Sequence, residues 1–231
     1  MAILTKKRKQ ILNKIEEGKV YNVEDAMSCF NSMPRASFDE RLDVAINLGI
    51  DARKSDQLIR RSTVLPNGSG KSSVVAVYAQ DSVADSLRDA GADIVGSDEL
   101  VADIQKGIIK FDVLLSAPKD MSRLGRLGTI LGPRGLMPNP KLGTVTNDLV
   151  KAVEDAKSGQ ISYRTDKNGI VHAPIGLASF AAEHVEENLN KLLSDLKSAR
   201  PASAKGVFLK KVTLSTTMGP GLVIDLSSLV V

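Results

Sequence analysis

Tryptophan is missing from this 231-residue chain, cysteine occurs once (Cys29) and histidine twice (His172 and His184). A lone thiol excludes a disulfide framework and a cysteine-based zinc site, and it suits a reducing cytosol. Two histidines with no further ligands around them, and no Gly-x-Ser-x-Gly or similar nucleophile motif, argue against a metal centre or a hydrolase. Aromatic residues make up 3% of the chain and hydrophobic residues 42%, so the core has to be built from Ala, Val, Ile and Leu. No run of about 18 apolar residues occurs, which excludes a membrane-spanning helix. The basic run Lys6-Lys7-Arg8-Lys9 has no apolar segment behind it and is not a secretory signal.

What is present reads as an α/β chain. Residues 5–17 have the spacing of a polar helix with Ile11, Leu12 and Ile15 on one side. Asn22 has the chemistry of a helix N-cap, with Asp25 at the third helical position and Pro34 as terminator. Leu42, Val44, Ile46 and Leu48 alternate with polar or small residues, the pattern of a half-buried strand. Pro66-Asn67-Gly68-Ser69-Gly70 is the strongest break. Beyond it, short apolar strands at 73–79, 92–95 and 111–117 alternate with helices at about 82–90 and 97–107, which predicts a small parallel sheet covered by helices. Residues 121–146 are rich in Gly, Pro and cations, and Thr146 or Asn147 can cap a helix ending before Gly159. Residues 160–164 and 170–175 flank Asp166-Lys167-Asn168-Gly169, a hairpin signal. Val185, Leu189, Leu192, Leu193 and Leu196 mark a helix over about 179–199. A strand over 207–217 shifts its apolar positions from odd to even near Lys210-Lys211, the mark of a bulge.

Antiparallel-looking strands at both ends thus bracket a parallel unit. The economical architecture is a discontinuous α+β base of residues 1–67 and 160–231, with an antiparallel-rich sheet, and an inserted Rossmann-like α/β domain of residues 68–159 on a two-strand hinge. The chain carries 31 Lys and Arg against 27 Asp and Glu, a net charge of +4. The base holds 20 cations and 15 acids, the insert 11 and 12. The base is therefore the more suitable grip for a polyanion. Within the insert, Arg123, Arg126, Arg134 and Lys141 form a stretch with no acid, a cationic lip on an otherwise acidic body and a candidate tRNA-facing or RNA-facing edge.

Each candidate motif has a plainer alternative. Gly68-Ser69-Gly70-Lys71-Ser72 is only superficially a phosphate loop. The required earlier glycine is Leu65, and a strand rather than a helix follows. The tract from Gly125 to Lys141 offers backbone N–H groups and cations to phosphates, or it is a structural loop needing special backbone angles. Phe38 can stack on a base or plug the core. His172 can touch RNA or sit satisfied in a strand. Thr216-Thr217-Met218-Gly219 ends a strand, where hydroxyls and free backbone groups can meet ribose hydroxyls, or is a turn entry. The apolar segment Leu222-Val223-Ile224-Asp225-Leu226 has no assigned role.

Several stretches resemble the family of large-subunit ribosomal protein L-one, bacterial type. They are Ser37-Phe38-Asp39-Glu40, Asp43 to Asp51, Arg53-Lys54-Ser55-Asp56-Gln57, Leu131 to Lys141, Asp166-Lys167-Asn168-Gly169 and Thr216-Thr217-Met218-Gly219, spread in order over nearly the whole chain. The resemblance implies a cytoplasmic, non-enzymatic ribosomal protein of the mobile stalk, monomeric off the ribosome and without cofactor. It implies binding to large-subunit rRNA, association with exit-site tRNA release, and repression of its own message through the mRNA leader. It also implies RNA contacts near Phe38, Glu40, Arg164, Asp166, Lys167, His172, Thr216, Thr217, Met218 and Gly219. The competing class is a nucleotide-binding enzyme using the inserted domain.

Overall fold

The computed structural model describes residues 9–11, 13–16, 18–79 and 83–229. In chain order the elements are β1 (Val20–Tyr21), α1 (Val23–Ser32), β2 (Arg41–Leu48), β3 (Arg60–Val64), β4 (Val75–Tyr78), α2 (Ala84–Asp89), β5 (Ile94–Gly96), α3 (Asp98–Gln105), β6 (Val113–Ser116), α4 (Met121–Leu124), α5 (Gly128–Arg134), α6 (Leu149–Lys157), β7 (Gln160–Arg164), β8 (Ile170–Leu177), α7 (Ala182–Ser198), β9 (Leu209–Thr216) and β10 (Gly221–Ile224). The chain forms two compact units. One comprises Met1–Gly70 with Tyr163–Val231, the other Lys71–Ser162.

The first unit is built on a five-stranded sheet in the order β1-β10-β9-β2-β8. Only β1 pairs parallel to its neighbour; the remaining ladders are antiparallel. Period-two alternation in β2 buries Leu42, Val44, Ile46 and Leu48 and leaves the odd-numbered residues on the other face. The buried face continues through Val171, Ala173 and Ile175 on β8 and Val212 and Leu214 on β9. Helix α7 presents Val185, Leu189, Leu192, Leu193 and Leu196 at helical spacing, all buried, and α1 adds Val23, Met27 and Phe30. Among the described residues of this unit, no helix lies over the opposite face.

The bulge read from the slip of apolar positions is present. Asn47 pairs with Lys211 and Leu48 with Leu209, so Lys210 is the extra residue. Two strands carry a weaker sequence signal. Leu222 and Ile224, in the apolar segment with no assigned role, form β10, paired to β9 and β1. The polar β3 pairs with β7 in a separate two-stranded ladder. That pairing corrects one expectation. The Asp166–Gly169 turn forms, but beyond the Thr165–Val171 bridge its flanking strands diverge, β7 to β3 and β8 to β2.

The second unit is a three-stranded parallel sheet, β5-β4-β6. The central strand β4 is buried on both faces, as a near-continuous apolar run requires. Val75 and Val77 pack with Leu87, Leu115, Val153 and Ala156 on one side. Ala76 and Tyr78 pack with Leu100, Ile104, Leu114, Leu124, Leu127 and Leu131 on the other. Two aspartates tie down the start of β4. Asp93 accepts from Val75 N at 2.7 Å and from Lys157 Nζ at 2.6 Å; Asp112 accepts from Val74 N at 3.2 Å and from Lys71 Nζ at 2.7 Å. The tract read as irregular is largely helical. It contains α4, a 3₁₀ turn at Gly125–Leu127 and α5, with Leu124, Leu127 and Leu131 at helical spacing into the core.

Helix starts differ in detail from expectation. Asn22 and Ser97 occupy N-cap positions without a side-chain cap bond. Helix α6 is capped by Asp148, which accepts from Lys151 N, rather than by Thr146 or Asn147. Of the helix expected over 5–17, residues 5–8, 12 and 17 lie outside the described residues; 9–11 are helical, but 13–16 are turn and coil, so the helix does not continue to 16 as expected.

One buried polar group secures the first unit. Asn188, fully buried on α7, donates through Nδ2 to Ile175 O at 2.8 Å and Gly68 O at 3.0 Å, and accepts from Asn67 N at 3.0 Å. Its truncation strands three backbone groups, each costing about 1–3 kcal/mol when buried and unpaired. Asn188→Ala is expected to lower unfolding free energy by at least about 2 kcal/mol in urea denaturation; a change within about 0.5 kcal/mol would contradict this role.

Candidate RNA interface

The antiparallel register divides the candidate residues into two groups at opposite ends of the sheet. Leu42 pairs with Thr216, so the segment before β2 (Phe38, Glu40) meets the segment after β9 (Thr216, Thr217, Met218, Gly219). At the other end, Asn47 pairs with Ile170, which places Asp166 and Lys167 beside the end of β2. Leu48 N donates to Gly169 O at 3.0 Å, and Gly169 takes a positive φ of 75° in this turn. Seven strand steps separate the ends, roughly 23 Å.

The first end is held together by hydrogen bonds within the protein. Glu40 is 5% exposed. One of its carboxylate oxygens accepts from Ala36 N at 2.9 Å and the other from Met218 N at 3.1 Å. Burial pushes its pKa up, but the amides of Ala36 and Met218, the Thr216 hydroxyl and the nearby Arg35 charge together outweigh this. The net result is a pKa below the ordinary glutamate value. The Thr217 hydroxyl accepts from Arg41 N at 3.0 Å and donates to Arg41 O at 3.3 Å. Gly219 N donates to Thr216 O at 3.2 Å, closing a turn in which an added Cβ would fall 2.2 Å from Thr216 Oγ1. Two large apolar side chains stand out from this framework, Phe38 at 54% and Met218 at 65% exposure. For Phe38 the core-plug alternative does not hold.

Between the ends lies the open face of the sheet. Rows of mostly small, polar or charged residues cross it, with Ile170 the large apolar exception: Lys211 beside Asn47 beside Ile170, Thr213 beside Ala45 beside His172, and Ser215 beside Asp43 beside Pro174. His172 is exposed on this face, with Nε2 3.8 Å from Asp166 Oδ2. Asp43, the acid in these rows, is paired with Arg41 at 3.3 Å. Arg164 and Lys167 are exposed near the second end.

The remaining candidates lie elsewhere. Arg126, Arg134 and Lys141 are exposed in the second unit and make no ion pair among the described residues, whereas Arg123 pairs with Asp98 at 3.5 Å and hydrogen-bonds Tyr78. Within their tract only Gly135 and Gly143 have positive φ. An added Cβ at Gly125, Gly128, Gly132 or Gly135 would meet nothing within 4 Å. Lys71, the lysine of the would-be phosphate loop, is paired with Asp112, and the chain beyond it enters β4 rather than a helix.

Asp166 organises the second end much as Glu40 does the first. Its Oδ1 accepts from Ile170 N and Asn168 N, each at 2.8 Å. The Ile170 amide is the main influence, with Asn168 and His172 adding to it, and the carboxyl is held below the ordinary aspartate value. A lowered folded-state pKa contributes stability that is complete above the unfolded value, about 3.9. That contribution is lost as pH falls through the folded value. A carboxyl NMR titration is expected to place the Asp166 midpoint below those of solvent-exposed aspartates, with Asn168 and Ile170 amide shifts following the same curve. A midpoint at or above the ordinary value would contradict the arrangement.

Comparison with known proteins shows the family. The ribosomal protein L1p/L10e family matches residues 30–220. Proteins described as large ribosomal subunit protein uL1 are similar over full length. The one from Hahella chejuensis is 57% identical over 232 residues, covering 100% of both chains. That from Pseudomonas putida is 55% identical over 229 residues, covering 99% of both, and that from Acinetobacter baylyi is 54% identical over 228 residues, again covering 99% of both. A match across most of the chain and full-length relatives at this identity lead to one conclusion: the chain belongs to the ribosomal protein L1p/L10e family, structural proteins of the large ribosomal subunit rather than enzymes.

Proposed function

We propose that this ribosomal protein holds large-subunit rRNA against the open face and both ends of its five-stranded sheet. The observation that carries the reading is the first end. There Phe38 and Met218 project from two adjoining segments that hydrogen bonds within the protein tie together. Such a surface is complementary to an RNA of fixed shape. Apolar groups lie on bases or sugars, unoccupied backbone groups meet ribose hydroxyls, and Arg41, Lys211, Lys167 and Arg164 draw in the phosphates.

The finer reading follows from the family resemblance. The base binds rRNA at the mobile stalk. The second unit is a Rossmann-like insert joined by two chain crossings, and its cations Arg126, Arg134 and Lys141 face exit-site tRNA. The same surface recognises a leader element of the protein's own message, because an RNA imitating the rRNA shape presents the same groups. Competition between rRNA and leader fragments for the purified protein tests the last point, and co-sedimentation with large subunits separates a ribosomal role from repression alone.

The primary test is filter binding of the full chain to large-subunit rRNA and to arbitrary RNA at moderate salt. Binding to rRNA at least about a thousandfold tighter is expected; equal affinities would overturn the proposal. Phe38→Ala and Met218→Ala should each weaken rRNA binding by about 1–3 kcal/mol with no change in salt dependence, since a stacked group releases no counterion. Lys211→Ala should flatten the slope of log affinity against log salt by just under about one unit. An unaltered slope would remove Lys211 from the phosphate contacts.

A further inference from the structure

We infer that a pocket at the C-terminal end of α7, on the helix-covered side of the five-stranded sheet, binds a small organic monocarboxylate, a molecule with one acid group on an apolar body. The site lies apart from the open face proposed for RNA, and the inference does not depend on that proposal.

The pocket has a volume of about 460 Å³, within the range of about 300–1,000 Å³ typical of small-molecule sites. It forms where the end of α7, the loop over 199–208, the start of β9 and the segment after β10 come together. Val207, Phe208, Leu209 and Leu226 supply its apolar surface. Leu209 pairs with Leu48, a core residue, which sets the pocket on the α7 side of the sheet. Val207, 71% exposed, stands at the lip, and the buried Phe208 forms the floor.

The charges in the pocket are of one sign. Lys197 and Arg200 line it, and no acid does. The acids nearest in sequence are engaged elsewhere. Asp225 accepts from Ser227 N at 2.9 Å and Ser227 Oγ at 2.7 Å, and Asp195 is bound by Lys191 and the Thr63 hydroxyl. Arg200 is fixed before any ligand arrives. Its Nη2 donates to Ala204 O at 2.9 Å and Gly206 O at 3.0 Å, and its guanidinium carbon sits 5.8 Å from the centre of the Phe208 ring. Its other nitrogens make no hydrogen bond among the described residues, which leaves donors open to a carboxylate. Lys197 makes no ion pair or side-chain hydrogen bond among the described residues.

These features select the ligand class. An uncharged apolar molecule would cover two cations without neutralising them, and burying a charge unpaired is unfavourable. A polyanion would lay most of its charge on an apolar floor. A single carboxylate meets Arg200 and Lys197, while its apolar body lies on Phe208, Leu209 and Leu226.

Amide NMR of the full chain during addition of phenylbutyrate, its uncharged amide or inorganic phosphate tests the site. Phenylbutyrate should produce saturable shifts at Gly206, Val207, Phe208 and Leu209 and bind at least about tenfold tighter than its amide. Phosphate, which has no apolar body, should bind more weakly than phenylbutyrate. Lys197→Gln removes a charge that has no partner to lose, and should weaken phenylbutyrate binding several-fold while leaving the amide unaffected. Arg200→Gln should weaken it as well, but it also releases Ala204 O and Gly206 O, so Lys197→Gln is the deciding variant. Lys205→Gln, on the same loop but outside the pocket, should have no effect. Four results would each overturn the inference: no saturable shift at these amides; equal affinity for acid and amide; equal weakening by Lys197→Gln and Lys205→Gln, which reduces the effect to general charge; or a flattened salt slope of rRNA binding in Lys197→Gln, which assigns that cation to phosphates.

Discussion

Strand β2 lies between β9 and β8 in the five-stranded sheet, and its period-two alternation constrains everything around it. Even-numbered residues are committed to the core, where α1 and α7 cover them. Odd-numbered residues are thereby committed to the other face. A one-residue slip would exchange the two sets, bury Arg41, Asp43 and Asn47 and expose Leu42, Val44, Ile46 and Leu48. The bulge at Lys210 absorbs the phase difference on β9, so that Lys211, Thr213 and Ser215 stay on the open face while Val212 and Leu214 stay in the core. The antiparallel partners of β2 then bring sequence-distant segments to its two ends. The candidate interface is a consequence of this register rather than of any local motif.

Charge plays a subordinate part in that arrangement. The protein is only mildly basic, and exposed cations near the sheet attract any nucleic acid with little regard to its shape. Selectivity has to come from groups whose positions are fixed before the partner arrives. Both ends of the sheet supply such fixing by the same device, a carboxylate that satisfies backbone amides around a turn: Glu40 for Ala36 and Met218, and Asp166 for Asn168 and Ile170. Two acids thus organise the turns at the two ends of the sheet.

The strongly periodic segments were legible in the sequence. The alternation of β2, the helical spacing of α7, the apolar run of β4 and the bulge at Lys210 all formed as read. Elements whose stability comes from their neighbours were not. Strand β3 is Arg-Arg-Ser-Thr-Val and is a strand because β7 pairs with it. Strand β10 is four residues whose role appears only beside β9 and β1. The tract around Gly125 to Gly135 was read as irregular because glycine and proline dominate it. Leu124, Leu127 and Leu131 carried the helical signal and outweigh that composition by burial. For the candidate interface, the sequence singled out the individual segments, but not that Phe38 and Thr216–Gly219 share one end while Lys167 and His172 belong to the other. Nor was it legible that the hydroxyl of Thr217 and the carboxylate of Glu40 make hydrogen bonds within the protein, since hydrogen bonds between residues 176 and 178 positions apart leave no local trace.

The central claim is that one face of one sheet, from Phe38 and Met218 at one end to Lys167 and His172 at the other, is the RNA-binding surface. Hydrogen-exchange mapping of the full chain with and without a large-subunit rRNA fragment tests it most directly. Added protection is expected in residues 36–41, 166–172 and 211–219, with α1 and the outer side of α7 unaffected. Protection confined to α7 or to the second unit, with these three segments unchanged, would contradict the account.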